Sequence, residues 1–317
     1  MVLSPRLGPS DKPWIRLSPG QLAARDRVLQ RLADDTYPTE NAACFCRGTE
    51  LDLVIAERDR YGLPVRTVLC RSCGLLRTTP RMTAAATSSF YAEDYRDLYT
   101  GPGNGEALFT SQVARGEGLV RLLAPLLPTV ESVYEVGCGA GGLLAPMKSL
   151  GKRVAGVDYN GDWLAAGQAR GLDLVQGDAL DLLEHKGETA DLVLLMHVLE
   201  HELDLREGLA RVMALVRPGG LLLVEVPGID MIPTGYGGDI LRYLQNAHTF
   251  HFTAVTLAFV LATCGLEVLA CTDAAVALCR KPEHEPPANG PPPPAGEPGR
   301  VLRRLAAMER EFLLRAA

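Results

Sequence analysis

No stretch of the 317 residues is both long and apolar enough to cross a bilayer, and the first 20, broken by Pro, Asp, Lys and Arg, lack the continuous apolar core of a signal peptide. A strong charge of either sign is also missing. Thirty-two Lys and Arg against 38 Asp and Glu leave a net charge of −6. With a pI near 5.6, there is no global field to draw the chain onto nucleic acid or an anionic membrane, and no Lys/Arg stripe suggests an RNA-directed enzyme. These absences point to a cytoplasmic protein. In that compartment the eight cysteines are expected to be metal ligands or buried apolar residues rather than disulfides. A hydrophobic content of 47% provides a core for one large domain with a small one, or for two medium ones.

What the sequence does have is a glycine-rich turn between a strand and a helix. In SVYEVGCGAGGLL, residues 132–144, a short apolar run reads as a strand, Gly137, Gly139, Gly141 and Gly142 as a tight turn, and the following leucines as the start of a helix. Glycines there let the backbone approach a ligand without a Cβ in the way, and the helix N-terminus behind them offers unpaired N–H groups. Two cofactor classes fit the spacing. Gly137-x-Gly139-x-x-Gly142 matches a dinucleotide fingerprint, whereas Glu135-x-Gly137-x-Gly139-x-Gly141 matches a loop for S-adenosylmethionine (SAM).

Around this turn the chain divides into five parts. Residues 1–40 are an extension in which 1–18 trail over the surface, and 21–34, after Ser18-Pro19, form a helix with Leu22, Val28, Leu29 and Leu32 on one side. Residues 41–82 are expected to be a zinc-binding module. Cys44 and Cys46 precede a strand-like run, Gly62-Leu63-Pro64 makes a turn, and a second run ends at Cys70-x-x-Cys73-Gly. Two cysteine pairs at the ends of a hairpin can converge on one tetrahedral Zn²⁺, a structural metal with all positions filled by protein. It would substitute for the core that about 40 residues cannot build. The plainer alternative is four small buried residues.

Residues 83–281 carry the glycine turn. A connector with Phe90, Tyr91, Tyr95 and Tyr99 leads to an amphipathic helix at 106–127. Strands are expected at 132–136, 153–157, 172–176, 191–196, 220–226, 266–271 and 274–280, with helices at 141–150, 161–170, 203–216 and 253–264. Alternation of this kind means a mainly parallel sheet covered on both faces. The last two strands, joined only by Thr272-Asp273, should pair as an antiparallel hairpin. Residues 282–299 are a Pro-rich extended linker. Residues 300–317 form an Arg-rich amphipathic helix whose Val301, Leu302, Leu305, Met308, Phe312 and Leu313 could dock on the chain itself, on a second copy or on a partner.

Three features choose between the cofactors. Asp158 in GVDYN ends the second strand, where a carboxylate accepts both hydroxyls of a vicinal diol, and either cofactor class would use it. Glu135, however, could reach a ligand ammonium group, and Asp178 in QGDAL could accept from an adenine amino group. With the closing hairpin these select SAM.

The segments YEVGCGAGG, GVDYN, QGDAL, ADLVLLMHVLEH and RPGGLLLVEVP, in that order and spacing, resemble the successive motifs of class I SAM-dependent methyltransferases over residues 85–281. That resemblance implies an α/β fold, a seven-stranded, mainly parallel Rossmann-like sheet with an antiparallel last strand, beside the small N-terminal zinc-binding module. It implies that Glu135 and the backbone of Gly137 and Gly139 hold the methionine portion of SAM, Asp158 the ribose, and Asp178 with Ala179 the adenine. His197, in the loop after the fourth strand, and Tyr99 and Tyr159 complete the cofactor contacts. Upstream, CFCRG, RYGLPVRTVLCRSCGLLRTTPR and FYAEDYRDLY resemble bacterial methyltransferases of sugar and surface-polysaccharide pathways, in which a zinc module held here by Cys44, Cys46, Cys70 and Cys73 precedes the methyltransferase domain. Relatives that C-methylate deoxysugars carry a further C-terminal domain where this chain has a linker and one helix. O-methylation of a sugar hydroxyl, on a nucleotide-activated sugar or a glycan terminus, is therefore the expected activity.

Methyl transfer is an in-line displacement at a sulfonium carbon, so an alcohol acceptor must be aligned and must lose its proton. Loop 227–253 is long, polar and aromatic, and holds two of the six histidines. By the same resemblance its segment Asn246-Ala-His248-Thr-Phe-His251-Phe-Thr253 borders the acceptor, with His248 as base and Tyr243, Asn246 and Tyr236 orienting the sugar. Alternatively His248 or His251 hydrogen-bonds to backbone in a packed loop. His197 and His201 flank Glu200 in HVLEH and are expected to shape the pocket, while Cys138, Cys264, Cys271 and Cys279 fill space. Two other readings are methylation of another metabolite such as a phenol or polyketide, and a SAM-binding scaffold whose tail recruits partners.

Overall fold

The computed structural model describes residues 2–48, 51–100, 105–284 and 290–316. Ser18 opens α1 (Pro19–Ala33) with a capping box: its hydroxyl accepts from Gln21 N–H while the Gln21 side chain accepts from the Ser18 N–H. The short strands β1 (Thr39–Glu40), β2 (Leu53–Ala56), β3 (Thr67–Leu69), β4 (Leu76–Thr78) and β5 (Arg81–Met82) follow, then α2 (Ala84–Glu93) and α3 (Gly105–Leu123). The alternating region runs β6 (Ser132–Val136), α4 (Leu144–Ser149), β7 (Arg153–Asp158), α5 (Gly161–Gln168), β8 (Asp173–Gln176), α6 (Ala179–Lys186), β9 (Ala190–Met196), α7 (Leu205–Leu215) and β10 (Val216–Glu225). After it come α8 (Ile232–Gly235), α9 (Ile240–Tyr243), β11 (Phe250–His251), α10 (Ala254–Thr263), β12 (Glu267–Cys271), β13 (Val276–Arg280) and α11 (Glu297–Ala316).

Seven strands form one sheet in the order β12-β13-β10-β9-β6-β7-β8. β13 is antiparallel to both of its neighbours, and the pairs from β10 to β8 are parallel. This is the expected architecture, because β6 and β9 are rich in Val and Leu and buried on both faces. The strand order reverses direction between β6 and β9, and the carboxyl ends of those strands open the crevice in which such sheets bind ligands. Helix α6 was not expected. Its signals were present nonetheless: Asp178 caps its start, and Gly187 ends it in the left-handed region at φ 65°.

The cysteine module is woven into the rest of the chain. β2, β3 and β4 form an antiparallel meander, and β11, from the loop after β10, joins its edge in the order β11-β4-β3-β2. Phe250 lies opposite Arg77 and His251 opposite Leu76.

The N-terminal end of the described chain departs from expectation, and the C-terminal helix takes one of the alternatives left open for it. The N-terminal segment does not trail: Leu7 is buried, and the Arg6 guanidinium donates to Asp239 at 2.8 Å. Helix α11 starts three residues inside the expected linker and lies against its own chain. Val301, Leu305 and Met308 are buried with Leu7, Ile55, Leu69, Ile229 and Ile240, each contributing roughly 1.5–3 kcal/mol. Much of the apolar side that could have met a partner is thus covered internally. No helix among the described residues is long and apolar enough to cross a membrane.

Candidate active site

At the end of β6 the chain turns through Gly137, Gly139 and Gly141 at φ 71°, 56° and 76°. A Cβ on Gly137 would lie 2.3 Å from Val198 Cγ2, so packing as well as ligand access excludes a side chain there. Gly139 N–H donates to Asp158 Oδ2 at 2.8 Å and Asn160 N–H to Oδ1 at 2.8 Å, which fixes the carboxylate at the end of β7 beside the turn. Glu135 is 1% exposed and its Oε2 has no hydrogen-bond partner. Burial, against the attraction of Arg115, pushes this carboxyl well above its ordinary range. A buried carboxyl oxygen without a partner is a costly arrangement. It fits a cofactor that brings an ammonium group, as the amino-acid end of SAM does, and Asp158 fits the diol of the same molecule.

Of the remaining expected cofactor residues, Tyr159, Asp178 with Ala179, and His197 follow the carboxyl ends of β7, β8 and β9. Asp178 accepts from Leu180 N–H at 2.8 Å and Asp181 N–H at 3.3 Å, both at Oδ1, and Ala179 is buried behind it. Tyr159 is 74% exposed. His197, in the left-handed region at φ 58°, has Nε2 3.2 Å from Glu225 Oε1 and Nδ1 3.5 Å from Glu200 Oε1. Burial pulls its pKa down, but the neighbouring carboxylates of Glu200 and Glu225 outweigh this and carry it up to about 9, so the ring is a cation at neutral pH. Tyr99 reaches the acceptor loop: its hydroxyl donates to Asn246 Oδ1 and accepts from Ala247 N–H at 3.2 Å. Its ring stacks on Tyr95 with centroids 4.7 Å apart, and Tyr95 lies 4.6 Å from Tyr91. Burial, with Glu200 and Asp158 adding to it, raises the Tyr95 phenol to about 12. This tyrosine ladder therefore stands within electrostatic reach of both the cofactor carboxylate and the acceptor side.

The acceptor loop is held from several directions. His248 is 5% exposed, its carbonyl accepts from Thr78 Oγ1 at 3.1 Å, and the Gln245 side-chain amide abuts its Nε2. Burial holds its imidazole well below the ordinary value, hence neutral. Thr249 N–H donates to Glu200 O at 2.8 Å, which ties the loop to the turn after β9. Asn246 N–H donates to Asp59 Oδ2 at 3.0 Å. Tyr243, expected to orient the acceptor, is buried and its hydroxyl donates to Pro227 O at 2.9 Å. Tyr236 packs edge-on against it.

Two contributors were not legible beforehand, and a third was legible only in part. Asp59 also accepts from Tyr61 and Leu63 N–H at 2.9 and 3.0 Å, and burial pushes it up to about 6. Its position before Tyr61-Gly62-Leu63-Pro64 is a turn signal that could have found it. Gln112 bridges Cys138 O at 3.0 Å and Gly142 N–H at 3.1 Å, and nothing in the pattern of α3 marks it. Glu200, flanked in sequence by His197 and His201, gains His248 as a third neighbour only through the fold.

In the small module the four thiols converge. Cys44 and Cys73 sulfurs are 3.6 Å apart, as are those of Cys46 and Cys70, and all four sulfurs lie within 4.8 Å of one another. Ligands at about 2.3 Å around tetrahedral zinc are about 3.8 Å apart, so the set fits that ion.

Residues 134–224 match the family described as Methyltransferase domain. The Ubiquinone biosynthesis O-methyltransferase of Mesorhizobium japonicum is 34% identical over 131 residues, covering 37% of this chain and 51% of that protein. A probable S-adenosylmethionine-dependent methyltransferase of Mycolicibacterium smegmatis is 31% identical over 138 residues, 43% of this chain and 52% of that one. The chain thus spans about half the length of these curated relatives. Among solved structures, an O-methyltransferase family protein from Burkholderia thailandensis aligns with TM-score 0.44 at 20% identity over 63% of each chain.

Proposed function

We propose that this chain, which has a class I SAM-dependent methyltransferase domain at its centre, transfers a methyl group from SAM to a hydroxyl of a small-molecule acceptor, and that the acceptor is a sugar, nucleotide-activated or at a glycan terminus. The observation that carries SAM is Glu135, a buried carboxyl whose Oε2 lacks a donor, beside a glycine turn whose N–H already fixes Asp158. Glu135 would hold the ammonium group, Asp158 the ribose, and Asp178 with Ala179 the adenine. Bound SAM supplies a methyl group on a sulfonium centre. The acceptor oxygen forms a bond to that carbon while the carbon–sulfur bond breaks, its electron pair returning to sulfur.

An alcohol needs help to lose its proton, and the buried cluster of Glu200, His201 and His248 is where this chain provides it. Structural Zn²⁺ held by Cys44, Cys46, Cys70 and Cys73 would keep β4 in place, and with it β11 and His248. The sugar acceptor rests on the likeness of the cysteine module and tyrosine connector to those of sugar methyltransferases. A phenolic acceptor is the second reading, favoured by the names of the curated O-methyltransferase relatives.

The test is incubation of the chain and SAM with panels of nucleotide sugars, glycans and phenols, read by mass spectrometry. Gain of one methyl on a sugar hydroxyl supports the first reading and gain on a phenol the second. Tight binding of S-adenosylhomocysteine with no methylation of any panel would favour a non-catalytic scaffold.

A further inference from the structure

The turn after β9 holds a carboxyl with an unusual environment. Glu200 is 1% exposed, and neither of its side-chain oxygens has a hydrogen-bond partner. Three imidazole nitrogens surround Oε1: His197 Nδ1 at 3.5 Å, His201 Nε2 at 3.8 Å and His248 Nε2 at 3.9 Å. These separations are too long for hydrogen bonds. They match atoms that share a metal, because ligands at about 2.1 Å from one ion lie about 3–4 Å from each other.

One of the rings is prepared as a ligand and a second stands beside it. His201 Nδ1 lies 2.9 Å from Ala247 O and 2.9 Å from the Tyr91 hydroxyl, so its proton sits on Nδ1 and its Nε2 lone pair faces Glu200. Such a backbone-anchored imidazole is the usual outer support of a metal-binding histidine. His248 Nδ1 has no partner, while Nε2, the nitrogen that faces Glu200, is hydrogen-bonded to the Gln245 amide, which must turn aside for a cation to bind there. His197 stands outside the set, its Nε2 held by Glu225.

We infer that Glu200, His201 and His248 form a binding site for one divalent first-row cation at the acceptor end of the crevice. The ligand atoms of the three residues lie within 4.8 Å of one another, and a cation relieves the cost of a buried carboxyl without donors. One carboxylate and two imidazoles leave coordination positions for acceptor oxygens, which suits vicinal hydroxyls, the feature shared by sugar diols and catechols. His248 then serves as a ligand, and the cation makes the acceptor hydroxyl acidic, its proton leaving to water. This role in turnover rests on the proposed methyl transfer; cation binding does not.

The test uses the full zinc-loaded chain titrated with Mn²⁺ and followed by electron paramagnetic resonance, since thiolates are poor ligands for Mn²⁺ and the cysteine cluster stays silent. One Mn²⁺ per chain is expected, weakened at least tenfold by Glu200→Gln and by His201→Gln and unchanged by Asp173→Asn, whose carboxylate lies on the surface. S-adenosylhomocysteine binding by the same samples reports that the variants remain folded. No Mn²⁺ uptake by the wild type, or wild-type uptake by both folded site variants, would overturn the inference while leaving the methyltransferase reading intact. Mn²⁺ uptake as expected, without methylation of any acceptor, would support the site and count against that reading.

Discussion

Arg6 and Glu309, 303 residues apart in sequence, form a two-pronged ion pair: Nε donates to Oε1 at 2.7 Å and Nη2 to Oε2 at 2.5 Å. The same guanidinium reaches Asp239 and lies over the Phe312 ring, 4.2 Å from its centroid. Arg6→Ala would strand two buried carboxylates, a change that costs about 3–5 kcal/mol. A fall in Tm of roughly 5–10 °C is expected in thermal melts, with α11 becoming the first site of proteolytic cleavage. An unchanged melt would mean that the pair does not tie the two ends together in solution.

Glu135 makes cofactor binding sensitive to pH. Burial raises its pKa in the free chain, and an arriving ammonium group lowers it, so binding releases a proton and affinity rises with pH until Glu135 is ionised in the free chain. Calorimetry of SAM binding in two buffers of different ionisation enthalpy measures that proton. Glu135→Gln should abolish the release and weaken binding about 10- to 100-fold, as loss of a charged hydrogen bond does. Proton release that persists in the variant would assign it to another group.

Asp191 sets the acid limb of stability. It accepts from the N–H groups of Glu131 and Ser132 and from Arg217, which together outweigh burial and hold its pKa at about 2. A depressed carboxyl contributes stability that is present above the unfolded value near 4 and lost as pH falls through about 2. After allowance for solvent screening the contribution is about 1 kcal/mol. Urea midpoints of Asp191→Asn should fall below those of the wild type at neutral pH and converge with them near pH 2. Parallel curves across that range would contradict the assignment.

Removal of the zinc assigned to the four cysteines should disorder β2, β3 and β4 and release β11 from their edge. Turnover is expected to fall by about 100-fold or more, the scale of a lost acid–base function. S-adenosylhomocysteine binding should change less than about threefold, because Glu135 and Asp158 sit on strands of the other sheet. Chelation of the wild type and Cys70→Ser should agree, and equal losses of binding and turnover would indicate that the two sheets unfold together.

How far the sequence could be read follows the range of the interactions. β6 and β9 are mostly apolar runs, a local property that reports burial on both faces, and their positions agree with expectation to within one residue. The pairings of Arg6 with Glu309 and of His248 with Glu200 join segments far apart in the chain, and no periodicity encodes them. Tyr243 is instructive in a different way. A tyrosine in a polar loop looks available to a ligand, yet its hydroxyl is satisfied by Pro227 O and its ring fills core. Likewise the docking surface of α11 stayed open between its own chain, a second copy and a partner, because composition reports a linker but not what the helix beyond it touches.

The pairing of β11 with β4 turns the position of His248 into a matter of counting. Leu76 lies three residues after Cys73, and opposite it His251 lies three residues after His248. One residue inserted on either side would exchange the two faces of the strand and carry the imidazole away from Glu200. Lengths in these two segments should therefore drift together or not at all, and a foreign cysteine module grafted onto this sheet would need to match register as well as metal.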